Sequence, residues 1–125
     1  MDRRNLFLMI PALALTMLSS AVSAQTDAAS GQRLFQQRCQ ACHSVDPAKP
    51  AGVGPSLAGV VGRRAASTNF RYSEALKKSG LTWTTANLDK YLASPQKLVP
   101  GTRMAVQLSD AKQRQAIIGY LTKPR

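Results

Sequence analysis

Chemistry concentrates in one short run, Cys39-Gln40-Ala41-Cys42-His43. Two thiols stand three residues apart, so one turn of backbone carries both, and an imidazole follows the second directly. A C-x-x-C-H run is the attachment signal of a c-type haem. Each thiol can capture one vinyl group of the porphyrin as a thioether, and His43 then lies under the iron to offer a ring nitrogen as axial ligand. Two other chemistries compete for the same residues. A thioredoxin-like redox centre needs a strand running into the first cysteine within a β-α-β unit, but an amphipathic helical stretch precedes Cys39. A structural zinc site takes four ligands, and the chain holds only two cysteines and one histidine. The residues therefore point to one covalent haem c held through Cys39 and Cys42.

His43 is the single histidine, so the proximal ligand has no rival. Of the four methionines, Met1, Met9 and Met17 fall in an N-terminal leader, which leaves Met104. It closes the turn-rich run Val99-Pro100-Gly101-Thr102-Arg103-Met104, far from His43, as a ligand for the opposite haem face must. Met104 is either the second axial ligand or core filler, the usual task of methionine. Lysine, water or an open position are the alternatives at the iron. The choice decides function, because His/Met ligation closes both axial positions and raises the reduction potential, which suits outer-sphere electron transfer. An open position suits gas binding or peroxidatic chemistry. A haem-ligating histidine also donates its second ring N–H to a fixed carbonyl. Pro55, in Gly54-Pro55-Ser56-Leu57, is the candidate acceptor.

The elements that must position these residues read as helices. Asp27 is a candidate N-cap for a helix from Ala28 to about Cys39, with Leu34 and Phe35 on its apolar face. Gly31 within it costs about 1 kcal/mol against alanine, which implies close passage of another helix. Pro47, Pro50, Gly52, Gly54, Pro55, Gly59 and Gly62 make the following stretch an irregular loop. Ser73 to Lys78 suits a short helix stopped by Gly80. Thr84 caps the next, which runs to about Ser94 with Leu88, Tyr91 and Leu92 on one face, and Pro95 ends it. Ser109 caps a last helix from Asp110 to Leu121, striped by Ile117, Ile118 and Leu121. No run reads better as strand, so the fold class is all-α.

The leader has three parts: a charged start at Asp2, Arg3 and Arg4, an apolar run from Leu6 to Leu18, and small residues ending at Ala24. That is the pattern of a secretory signal peptide over residues 1–24, too short in its apolar part for a spanning helix. Residues 25–125 then form one domain in an oxidising periplasm, where thioether formation keeps the cysteine pair from closing as a disulfide.

Taken together, these motifs resemble the class I cytochromes c, of mitochondrial and bacterial c2 type, over nearly all of residues 25–125. The resemblance rests on the C-x-x-C-H run, Gly54-Pro55-Ser56-Leu57, Gly62-Arg63, Tyr72-Ser73-Glu74-Ala75, Gly80-Leu81-Thr82-Trp83, Tyr91-Leu92-Ala93-Ser94-Pro95 and Pro100-Gly101-Thr102-Arg103-Met104. It implies a small fold whose terminal helices cross, through Gly31, Phe35 and Tyr120, and wrap one haem. It implies thioethers from Cys39 and Cys42, axial His43 and Met104, and the Pro55 carbonyl on His43. Tyr72 and Trp83 correspond to haem-propionate donors, with Arg63 as a compensating charge nearby. Tyr91 stands beside the ligand methionine, and Thr102 belongs to the same haem-contacting loop. Leu76 and Val106 depart from the mitochondrial pattern, which has asparagine and phenylalanine there.

Loss of Asp2, Arg3 and Arg4 takes the formal charge from +11 to +10. Nucleic acid is not expected as a partner of an exported haem protein, and no nucleic-acid reading motif is present. A basic surface instead suits acidic faces on a reductase and an oxidase, which it would steer at long range. The expected function is a periplasmic, monomeric one-electron carrier that is not itself an enzyme and inserts in no membrane after cleavage. The alternative is a haem c subunit bound permanently to a periplasmic dehydrogenase.

Overall fold

A computed structural model describes residues 19–124, so the charged start and apolar run of the leader lie outside the described residues. Among the described residues five helices follow one another: α1 (Ser19–Arg38), α2 (Glu74–Lys78), α3 (Thr85–Ala93), α4 (Pro95–Leu98) and α5 (Ala111–Thr122). Among the described residues there is no strand, only an isolated antiparallel bridge between Arg64 and Thr82. The all-α class is the one expected.

The terminal helices α1 and α5 pack across each other, and their crossing explains Gly31. A Cβ built there would lie 2.1 Å from the Ala116 carbonyl oxygen and 3.0 Å from Tyr120 Cβ. One turn on, Phe35 packs its ring on Tyr120, with centroids 5.4 Å apart. Ile117, Ile118 and Leu121 complete the buried face of α5. Arg114 ties α5 to its neighbours: its Nε donates to Asp89 Oδ1 on α3 at 2.7 Å, and its Nη1 to the Leu108 and Ser109 carbonyls at 2.8 and 3.0 Å.

Helix boundaries differ from the sequence expectation in three places. α1 begins at Ser19, so Asp27 lies inside it rather than capping it. Residues 19–26 hold neither proline nor glycine, and a helix already fixed by packing extends through such a run at small cost per residue. Pro95 does more than end α3. With Ser94 extended (φ −158°, ψ 92°) it opens α4, since its fixed φ suits the first helical position and its missing N–H would be unpaired there anyway. Asp110, not Ser109, caps α5: its Oδ1 accepts from the backbone N–H of Lys112 at 2.8 Å and Gln113 at 3.2 Å. A carboxylate in that position satisfies two free donors and faces the positive end of the helix. The caps of α2 and α3 are those expected, Ser73 accepting from Leu76 N–H and Thr84 from Asn87 N–H.

Candidate haem site

The site begins where α1 runs out. The Phe35 carbonyl accepts from the N–H groups of Cys39 and Gln40, and the Cys39 carbonyl from those of Cys42 and His43, all within 2.8–3.1 Å. This tight winding places both sulfurs and the imidazole within one turn. The glycine- and proline-rich loop then doubles back on the same turn. Gly54 N–H donates to the Cys42 carbonyl and Leu57 N–H to the Ser44 carbonyl, each at 2.8 Å. That return brings the Pro55 carbonyl to 2.8 Å from His43 Nδ1. An imidazole that donates from Nδ1 leaves Nε2 as its free, metal-binding nitrogen. The fit requires glycine at position 54, because a Cβ there would sit 2.4 Å from His43 Cε1.

The loop after α4 carries Met104, which lines, together with His43, a cavity of about 540 Å³ with a predominantly apolar lining. All ten residues expected to contact a haem line it: Cys39, Cys42, His43, Pro55, Arg63, Tyr72, Trp83, Tyr91, Thr102 and Met104. Leu76, Leu88, Leu92, Ile117 and Leu121 form much of the remaining wall. Its volume falls in the ordinary range for small-molecule and cofactor sites.

The polar groups around this cavity fall into two sets. Arg63 Nη1 and Nη2 donate to the carbonyls of Ala58 and Ser56 at 2.8 and 2.9 Å, while its Nε is buried without a partner. Such an orphaned, charged donor suits an anionic group entering from the cavity, as a haem propionate would. The Tyr72 hydroxyl pairs with Thr68 Oγ1. In the second set, Tyr91 Oη lies 2.5 Å from Thr102 Oγ1, and its ring packs on Trp83 with centroids 4.8 Å apart. Burial raises the Tyr91 hydroxyl above its ordinary value, and the bond to Thr102 offsets part of that.

No disulfide joins Cys39 and Cys42. Burial pushes Cys39 up to about 11, only partly opposed by the Arg38 cation, while the neighbouring Cys42 adds a small rise. A redox-active C-x-x-C works by the opposite shift, a thiolate stabilised below the free value. Cys39 shows none of the thiolate stabilisation on which such a centre relies. Thr68 and the Ser56 and Ala58 carbonyls were not legible in the sequence. A hydroxyl and two main-chain oxygens carry no spacing pattern, and only the folded loop brings them to Tyr72 and Arg63.

The family model described as Cytochrome c matches residues 28–123. The chain is 45% identical to the cytochrome c2 of Rhodomicrobium vannielii over 105 residues, covering 82% of this chain and 83% of that one. It is 44% identical to the cytochrome c2 of Rhodoblastus acidophilus, over 78% of this chain and 92% of the other. Among solved structures, cytochrome cH from Methylobacterium extorquens superposes with a TM-score of 0.70 at 48% identity, covering 76% of this chain and 96% of that one.

Proposed function

The chain belongs to the class I cytochromes c, and we propose that it is an exported, periplasmic one-electron carrier whose haem c iron is held by His43 and Met104. Haem c, when bound through Cys39 and Cys42, supplies a one-electron ferric/ferrous couple. The observation that carries the reading is that His43 and Met104 line one apolar cavity together with the two cysteines.

The side chains divide the work. His43 is oriented by Pro55, which fixes its tautomer and strengthens Nε2 as a donor. Met104 would hold the iron as its second protein ligand, which would leave no place for an exogenous reactant. The apolar walls exclude water, which limits the reorganisation that accompanies each change of charge. Arg63 and Tyr72 would donate hydrogen bonds to the propionates, and the Arg63 cation would offset part of their charge. Arg38, Arg71 and Arg103 are exposed and line the cavity, so they present positive charge where a partner would approach. That arrangement suits brief docking on acidic faces of larger redox complexes.

Spectroscopy tests the ligation. The ferric holoprotein is expected to show the weak far-red absorption of sulfur bound to iron, and the ferrous form to bind no carbon monoxide at neutral pH. Met104→Ala should lose the band and gain carbon monoxide binding. A wild-type protein that lacks the band, or binds carbon monoxide, would overturn the electron-carrier reading in favour of an open haem.

A further inference from the structure

Gln96, an exposed residue of α4, has no part in the site as described so far. Its carboxamide nevertheless engages the Met104 loop at both ends. Nε2 donates to the Thr102 carbonyl at 2.5 Å, and Oε1 accepts the Gly101 backbone N–H at 3.2 Å. The orientation of the amide is fixed by its partners, since a carbonyl can only accept and an N–H only donate. Thr102 is held from two further sides: its N–H donates to the Val99 carbonyl at 3.0 Å, and its hydroxyl pairs with Tyr91 at 2.5 Å. Every polar group of Thr102 is therefore tied, and Met104 follows two residues later. Downstream, the next backbone tie is Leu108 N–H to the Leu92 carbonyl at 2.8 Å. Among the described residues, 103–107 make no backbone–backbone hydrogen bond. Two side-chain bonds tie this stretch as well, Arg103 Nη1 donating to the Arg71 carbonyl at 2.9 Å and Arg38 Nη2 to the Gln107 carbonyl at 3.4 Å, so the backbone at Met104 itself depends on the ties on either side of it.

We propose that Gln96 is a positioning residue for Met104: its carboxamide keeps the loop closed and so sets how readily the thioether leaves the iron. The inference rests on the His/Met reading above. Swinging Met104 away requires Thr102 to shift, which breaks both Gln96 bonds. Two hydrogen bonds of ordinary net strength alter an opening equilibrium about tenfold. An external ligand that binds only the opened state gains apparent affinity in proportion to the open fraction.

The test is a titration of ferric holoprotein with imidazole, following loss of the far-red sulfur–iron band, in wild type, Gln96→Ala, Gln96→Glu and the neighbouring control Lys97→Ala. Gln96→Ala should bind imidazole about tenfold more tightly than wild type. Gln96→Glu keeps the length and the acceptor for Gly101 but turns a second oxygen on the Thr102 carbonyl, so it should bind at least as tightly as the alanine variant. Lys97→Ala should match wild type. A merely structural role would lower the denaturation midpoint and leave imidazole affinity unmoved. That result, or a glutamate variant indistinguishable from wild type, overturns the proposal while the wild-type band leaves the ligation intact. Absence of the band from wild type overturns both.

Discussion

Gly54 shows how much of this site is decided by one missing side chain. Its Cα lies against the His43 ring, and a methyl there would meet Cε1 at 2.4 Å and Nδ1 at 2.8 Å. The ring cannot retreat without giving up its 2.8 Å contact with the Pro55 carbonyl. Gly54→Ala is therefore expected to strain the proximal side at a cost of about 1–3 kcal/mol for overpacking, with about 1 kcal/mol more for the weakened hydrogen bond. Denaturant titration of the holoprotein, together with its yield, measures this, and an unchanged midpoint would show that the ring has room the geometry denies it. At this scale the sequence was informative wherever chemistry dictates spacing. Two thioethers and an adjacent imidazole must come from consecutive residues, so Cys39, Cys42 and His43 announce themselves. Thr68 on Tyr72 joins residues by tertiary contact of ordinary side chains, and Gln96 on Thr102 does so through an amide unremarkable on an exposed helix face.

Two glycines separate packing from propensity at the scale of helices. Gly31 sits at the crossing of α1 and α5, where an added Cβ meets a backbone carbonyl at 2.1 Å; Gly119, in α5, has nothing within 4 Å. Replacing either by alanine returns about 1 kcal/mol of helix propensity. At Gly119 that gain stands alone, so Gly119→Ala should stabilise the holoprotein by nearly that amount. At Gly31 no rotamer avoids the clash, the helices must separate, and overpacking of about 3 kcal/mol leaves a net loss of roughly 2 kcal/mol. Opposite shifts of the denaturation midpoint are the expected result, and stabilisation by both variants would contradict the close crossing. The same distinction explains which elements were legible. Ser73 and Thr84 cap their helices through local side-chain bonds, so α2 and α3 could be bounded from sequence. The start of α1 and the extra helix at Pro95 depend on what neighbouring segments do, and there the local signals misled.

Charge and cavity are properties of the whole molecule. Residues 25–125 carry a formal +10, more than the two carboxylates of a bound haem can offset. Steering by such a surface raises association rates 10- to 1,000-fold at low salt, and screening acts over about 8 Å at physiological ionic strength. Turnover with an oxidase-containing membrane fraction should therefore slow as salt rises, and a flat response would remove the acidic-partner part of the proposal. The cavity makes a stronger demand. Among the described residues, nine of the fourteen that form the buried hydrophobic core line it, so the haem site and the core are largely the same structure. Without its cofactor the core keeps an apolar-walled cavity of about 540 Å³, and unpacked core volume costs stability in proportion to its size. Domains of this size are stable by only about 5–15 kcal/mol. The α1–α5 crossing cannot replace the lost core, since a helix as short as α5 is marginal without packing. The haem-free chain should consequently show little fixed tertiary structure and no cooperative thermal transition by circular dichroism. A haem-free protein melting cooperatively near the temperature of the holoprotein would mean that the core closes without its cofactor, and that the walls of this cavity can collapse onto one another.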